Sequence, residues 1–216
     1  FNSGNWWVQD FSSMLPIYLS PEIGKKNVID LCASPGGKAF QAISMGAEVT
    51  VNDISYKRIK ILEQNFERLD FNNKILNQDA LKIKDTKKFD IVILDAPCSG
   101  IGTIRRNPEI LFKEEPPNID QLVEIQRLLM TKATELLKPK GVLIYMVCSF
   151  FYKETFEQKE WFLLKNKNFS QQIFKKNENK DLNQFISNEG DIYCVPSEHK
   201  GFMIDGFYTV KFKKYD

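Results

Sequence analysis

Short apolar runs that end on an acid or a cysteine, with helical segments between them, constrain this chain more than any other feature. The runs are "NVIDLC" (27–32), "AEVTVND" (47–53), "KILNQD" (74–79), "FDIVILD" (89–95) and "GVLIYMVCS" (141–149). They are short and mostly β-branched or aliphatic, which predicts buried strands. "KAFQAISMG" (38–46) reads as a helix that stops at Gly46. "SYKRIKILEQNFERLD" (55–70) carries Ile59, Leu62, Phe66 and Leu69 at helical spacing, with Ser55 placed as its N-cap. "NIDQLVEIQRLLMTKATELLK" (118–138) is a long helix stopped by Pro139 and Gly141, and "KETFEQKEWFLLKN" (153–166) is also helical. The stretch 170–195 is polar and has no clear assignment, whereas "DGFYTVKFKK" (205–214) alternates as a final strand. Strand–helix alternation of this kind predicts an α/β fold: a parallel sheet with helices on both faces. Ligands of such sheets bind outside the carboxyl ends of the strands. The unusual residues gather at those ends: Asp30–Gly37, Asp53, Asp79, Asp95–Cys98 and Cys148.

A chain of 216 residues, 43% of them hydrophobic, suits one domain with a substantial core. Charge is nearly balanced, 30 Lys+Arg against 28 Asp+Glu. That excludes a strongly basic protein but not a basic cleft, because nucleic-acid affinity rests on local clusters. No apolar run approaches the roughly 20 residues needed to cross a membrane, and no signal segment opens the chain. The four cysteines (Cys32, Cys98, Cys148, Cys194) have no C-x-x-C spacing, and His199 is the only histidine. This argues against a metal site and against His-based acid–base chemistry, and it points to free thiols in a reducing cytoplasm.

"DLCASPGGKAF" follows the first strand and opens a helix. It is neither G-x-G-x-x-G nor a Walker loop, since Ala39 stands where a magnesium-binding Ser or Thr belongs. Gly36 and Gly37 permit close backbone approach. Lys38 sits where the helix dipole disfavours a cation, which implies a polar or anionic neighbour. An ordinary tight turn is the alternative. Asp53, at the end of the second strand, can accept hydrogen bonds from both hydroxyls of an adenosine ribose, and Asp79 ends the third strand near where an adenine would lie. Either acid can instead be a helix cap or a solvated loop residue.

The cysteines have their own chemistry. Carbon 5 of cytosine is a poor nucleophile until a thiolate adds to carbon 6. The enamine-like ring can then attack an electrophilic methyl group, and the thiol leaves once the carbon-5 proton is removed. An acid near ring nitrogen 3 stabilises the intermediate, and Asp95 beside Cys98 is placed for that.

Five segments, "DLCASPGGK", "NDISYKRIKIL", "DAPCSGIGTIRRNPE", "YMVCS" and "DGFY", resemble in order and spacing the RNA cytosine-5 methyltransferases of the bacterial ribosomal and eukaryotic NOL1/NOP2/Sun type. "GNWWVQDFSSMLP" resembles the segment that precedes the family's first motif, so the resemblance spans nearly the whole chain. It implies a Rossmann-like class I methyltransferase fold with a mainly parallel seven-stranded sheet, residues 1–26 forming a helical lead-in. It implies S-adenosylmethionine as cofactor, with Cys32, Ala33, Ser34, Pro35, Gly36, Gly37 and Lys38 around its methionine end. Asp53 and Arg58 would lie at its ribose, Asp79 at its adenine, and Asp95 nearby. Cys148 matches the attacking thiolate and Cys98 the cysteine that helps resolve the adduct, while Lys38 and Asp95 line the base site. The residues alone favour Cys98 as nucleophile, because Pro97-Cys98 is similar to the nucleophile motif of DNA cytosine-5 methyltransferases; the resemblance reverses that choice. The chain departs from the pattern at Val147 (usually Thr), in "FFYKETFEQ", which lacks the usual Asn, and at "PKG", which has one glycine fewer.

Arg105 and Arg106 follow the catalytic loop and are candidates to hold RNA phosphates; pairing with Glu109 or Glu114 is the alternative. Trp6 and Trp7 either stack on a base or cover a core edge. Cys194 reads as structural, and His199 as a solvated loop residue. The target cytosine must be single-stranded, looped or flipped out. Family members often carry an N-terminal RNA-binding domain that is not visible here, and the chain begins at Phe1. The expectation is a catalytic core or minimal enzyme acting as a monomer. A methyltransferase for DNA, protein or a small molecule and a non-catalytic RNA-binding assembly factor are the competing readings.

Overall fold

A computed structural model describes residues 1–84, 86–176 and 180–215. Helix α1 (Phe11–Tyr18) is capped by Asp10, whose carboxylate accepts from Ser12 N. Then follow β1 (Asn27–Asp30), α2 (Gly37–Ser44), β2 (Glu48–Asn52), α3 (Tyr56–Arg68), β3 (Lys74–Leu76), β4 (Phe89–Asp95), α4 (Ile119–Leu136) and β5 (Leu137–Val147). The C-terminal part adds α5 (Phe156–Lys165), β6 (Phe169–Gln172), β7 (Ile192–Cys194), β8 (Ser197–His199), β9 (Phe202–Ile204) and β10 (Phe207–Lys214).

The main sheet runs β3-β2-β1-β4-β5-β10-β6, with β7 also on β10. The first five strands are mutually parallel and β10 runs antiparallel to β5. The sheet therefore has eight strands, not the seven expected. β6 pairs with Lys211–Lys214 and β7 with Phe207–Thr209, so the two share the outer edge of β10 and the sheet remains seven strands wide. Both lie in the polar stretch 170–195, where weak apolar periodicity hid them; residues 177–179 of that stretch lie outside the described residues.

The continuous apolar runs have a direct cause. Successive side chains of a strand point to opposite faces, and here both faces are covered. Ile91 and Ile93 enter one core cluster while Val92 and Leu94 enter the other. Helix α3 buries Ile59, Leu62 and Phe66 as its spacing predicts, and the Ser55 hydroxyl caps it by accepting from Arg58 N.

Three expectations need correction. The long helix ends at Leu136 rather than at residue 138, and the next strand already starts at Leu137. Pro139 cannot continue a helix. A register shift between Phe89 and Ile91 absorbs the extra residues before Val142. His199 is not a solvated loop residue: it is buried in β8, and its ring stacks on Phe11 at 5.2 Å between centroids. The lead-in is helical only at α1 and at a 3-10 turn, Pro21–Ile23. Trp7 packs edge-on against Phe40, whereas Trp6 is half exposed.

Among the described residues no helix is long and apolar enough to cross a membrane. The loop after β4 is tied to the ends of β5 and β10. Gly102 N–H donates to the Cys148 carbonyl at 3.0 Å, and Gly206 N–H donates to the Gly102 carbonyl at 2.7 Å. A Cβ on Gly102 would collide with the Gly206 carbonyl and the Cys148 backbone. Gly102→Ala should therefore destabilise the protein by about 1–3 kcal/mol, read as a lower urea midpoint with an unchanged m-value.

Candidate active site

The carboxyl ends of β1, β2, β4 and β5 open on a cavity of about 350 Å³. Its polar lining comes from Cys32, Asn52, Asp53, Arg58, Asp79, Asp95, Cys98 and Cys148, and its apolar walls include Leu31, Ile54, Leu81, Ile125 and Leu128. Seven of the residues singled out from the sequence thus meet on one cavity. Lys38 joins them through Asp95, to which its ammonium donates at 2.6 Å. This is the anionic neighbour that a lysine at a helix start required. Burial opposes the Lys38 charge, but the charge of Asp95 and the hydrogen bond to it outweigh burial and hold the ammonium protonated.

The glycine loop does not line the cavity beyond Cys32; it shapes the site from behind. Gly36 takes φ 114° as N-cap of α2, in the left-handed region, and a Cβ there would strike the Phe40 ring. Ala33 N–H donates to the Asn52 carbonyl at 2.9 Å, and Asn65 donates to the Pro35 carbonyl at 3.2 Å. Gly37 opens α2. Ser34 N–H donates to Asp53 Oδ2 at 3.3 Å, and its hydroxyl donates to the Arg58 carbonyl at 2.9 Å. Arg58 in turn donates to the Ser34 carbonyl. Asp53 Oδ1 accepts from Ser55 N–H at 3.0 Å. Asp79 both borders the cavity and caps a 3-10 turn, its carboxylate accepting from Leu81 N–H at 3.0 Å.

The two thiols of interest touch: Cys98 Sγ and Cys148 Sγ are 3.3 Å apart. The Cys148 thiol is pulled below its usual range, first by the hydrogen bond from Cys98 and then by the Lys38 charge, against burial and Asp95. Cys98 is pushed well up, first by that same hydrogen bond and then by burial. The two thiols thus shift in opposite directions, Cys148 toward the thiolate and Cys98 toward the thiol. Burial pushes Cys32 up as well, followed by the charge of Asp30. Cys194 is buried and pushed up to about 12 by desolvation.

Arg105 and Arg106 converge on Asp205, with Arg105 Nε at 3.2 Å and Arg106 Nε at 2.6 Å; Arg105 also reaches Asp10 at 3.5 Å. Their partners are these two aspartates rather than Glu109 or Glu114.

Sequence reasoning missed four residues. Asp30 is buried; desolvation and then the Asp95 charge raise its carboxyl to about 7. Asn52 is fully buried, and its Oδ1 finds no partner among the described residues. Glu154 and Gln126 lie behind the cysteines. Only the position of Asp30 and Asn52 at strand ends hinted at the first two; nothing in the helical periodicity around the others marked them.

A mainly parallel sheet whose β10 runs against β5, with a ligand-sized cavity at the carboxyl edge, defines the class I methyltransferase fold. Within that class, the chain belongs to the family described as 16S rRNA methyltransferase RsmB/F, whose model matches residues 16–213. It is 28% identical over 219 residues to the ribosomal RNA small subunit methyltransferase B of Shewanella oneidensis, covering 99% of this chain and 49% of that protein. It is 29% identical over 234 residues to the 28S rRNA (cytosine-C(5))-methyltransferase of Mus musculus, covering 99% of this chain and 28% of that one. The crystal structure of NSun6 from Pyrococcus horikoshii with SFG superposes with a TM-score of 0.82 at 25% identity, covering 100% of this chain and 55% of that one. The chain spans about half the length of the bacterial relative and less of the mouse one.

The hydrogen bond between the thiols makes a measurable demand. Cys148 should react with iodoacetamide at lower pH than Cys98, and Cys98→Ala should move the pH midpoint of Cys148 alkylation upward, followed by peptide mass spectrometry.

Proposed function

We propose that this chain is the catalytic domain, residues 1–216, of an S-adenosylmethionine-dependent RNA cytosine-5 methyltransferase acting in the cytoplasm as a monomer. One observation carries the reading: two thiols in contact, one disposed to be a thiolate, on a cavity also lined by Asp95, which Lys38 pairs. A pyrimidine carbon-5 reaction needs this set, and methyl transfer to an amine or a hydroxyl does not.

The residues present fit the cofactor. The apolar walls suit an adenine, Asp53 has the acceptor oxygens a ribose needs, and Asn52 Oδ1 lacks a partner. When bound, S-adenosylmethionine supplies an electrophilic methyl group. The residues assigned to hold it are Cys32 to Lys38, Asp53, Arg58, Asp79 and Asp95. Of these, Ser34 acts by bracing Asp53 and Arg58.

The Cys148 thiolate adds to carbon 6 of the cytosine. The electron pair moves toward ring nitrogen 3, which takes a proton relayed through Asp95 from the hydrogen-bonded Lys38 ammonium, and carbon 5 becomes the nucleophile. Lys38 holds Asp95 in place through their ion pair. After carbon 5 takes the methyl group, nitrogen 3 returns its proton through Asp95; the carbon-5 proton then passes to solvent water, its C–H electron pair forms the carbon 5–carbon 6 double bond, and the carbon 6–sulfur bond breaks to release Cys148 as the thiolate. Cys98, in contact with Cys148, assists this release. The target nucleotide reaches these thiols only unstacked. Arg106, its side chain 50% exposed despite Asp205, is the better placed of the two arginines to meet an RNA phosphate.

Two measurements test the reading. Asp53→Ala should weaken S-adenosylmethionine binding by about 1.5–3 kcal/mol for each charge-assisted hydrogen bond lost; unchanged affinity by calorimetry in a folded variant removes the ribose assignment. The cysteines separate by the adduct. Cys148→Ala should form no covalent RNA species, while Cys98→Ala should accumulate one that survives a denaturing gel. The opposite pattern would make Cys98 the nucleophile, and no adduct with any RNA would refute the covalent route.

A further inference from the structure

Behind the two thiols lies a carboxylate that the reaction does not use. Glu154 is fully buried, in a 3-10 turn after β5. Its Oε1 accepts from Ser99 N–H at 2.8 Å, and its Oε2 accepts from the Ser99 hydroxyl at 2.5 Å and the Ser149 hydroxyl at 2.6 Å. Ser99 directly follows Cys98 and Ser149 directly follows Cys148. One carboxylate therefore grips the residue after each thiol, on two loops 50 residues apart in sequence. We propose that Glu154 is a positioning residue that clamps the two cysteine loops together and holds the thiols in contact. This rests on Cys98 and Cys148 being the working pair.

Three features support the clamp over simple packing. A carboxylate only accepts, so it serves all its donors at once; an amide would present N–H to an N–H or to hydroxyls already oriented as donors. The clamp is itself braced. Gln126 Nε2 donates to Glu154 Oε1 at 3.1 Å and to the Pro97 carbonyl at 3.0 Å, and the Tyr145 hydroxyl donates to the Glu154 carbonyl at 2.8 Å. Pro97 precedes Cys98, so that cysteine is fixed from both neighbours. The Glu154 charge also acts with the stronger effects of the Cys148 hydrogen bond and burial to keep Cys98 protonated, which preserves the direction of the hydrogen bond between the thiols.

Contact between the thiols can be timed without RNA. Diamide removes two electrons and two protons from Cys98 and Cys148, forming a disulfide between them while itself being reduced to the hydrazine. In the intact protein this disulfide should close quickly, followed by mass spectrometry of the linked peptide. Glu154→Gln should slow closure by about 10- to 100-fold and move the pH midpoint of Cys148 alkylation. Glu154→Asp, which keeps the charge but not the reach, should fall between. Ser149→Ala removes one leg of the clamp and leaves the carboxylate its other donors, so it decides the matter where Glu154→Gln does not fold. Folded variants that bind S-adenosylmethionine normally and close the disulfide at the wild-type rate overturn the proposal. Slowed closure sustains it, whatever the RNA assay gives, because neither RNA nor methyl transfer enters the measurement.

Discussion

The pairing of β4 with β5 is the constraint on which the site depends. Parallel register sets Ile93 against Ile144 and Asp95 against Met146, and Ala96 N–H extends the ladder by donating to the Met146 carbonyl at 2.9 Å. Cys98 and Cys148 leave the sheet a few residues beyond that point, from neighbouring strands, at the same edge. A slip of one residue would exchange the two apolar faces, since side-chain direction alternates with period two. Both faces of these strands are buried in separate clusters, so each slip would have to rebuild two cores. The register that brings the thiols together is thus held by the packing of the whole domain.

Around that register the site gathers more charge than an apolar interior tolerates without compensation. Lys38 and Asp95 neutralise each other, with side chains 13% and 30% exposed. Asp53 is satisfied by two backbone N–H groups and by Arg58. Among the described residues Asp30 Oδ1 finds no hydrogen-bond partner, and burial, then the Asp95 charge, raise its carboxyl to about 7. The thiols differ first through the hydrogen bond between them, which lowers Cys148 and raises Cys98; burial and Asp95 oppose ionisation of both, while Lys38 favours that of Cys148 and Glu154 opposes that of Cys98. Two chemically identical side chains in contact are thereby shifted in opposite directions.

The fold was legible because its signals are local. Asp53, Asp79, Asp95 and Cys148 stood out at strand ends, since a parallel sheet delivers every such end to one edge. The lysine at the start of α2 was legible through its misfit with the helix dipole. β6 and β7 were not legible. They are edge segments of β10, and their sequences carry polar residues such as Gln171 and Gln172. His199 was misread because the ring that stacks on it, Phe11, comes from the opposite end of the chain, with Phe185 and Phe202 closing the rest of its surroundings. Arg105 and Arg106 pair with Asp205, about a hundred residues on, rather than with the nearby Glu109 or Glu114.

By itself the sequence determined the order of the first five strands with the helices between them and the final strand, the parallel part of the sheet, and the edge where the candidate site lies. These follow from hydrophobic period and from turn residues, which act over a few positions. Tertiary structure alone decided that the two thiols touch, which acid partners Lys38, and that Glu154 joins the two cysteine loops. Those outcomes rest on distances of about 3 Å between segments 50 or more residues apart. No local pattern encodes such distances; they exist only once the sheet has closed.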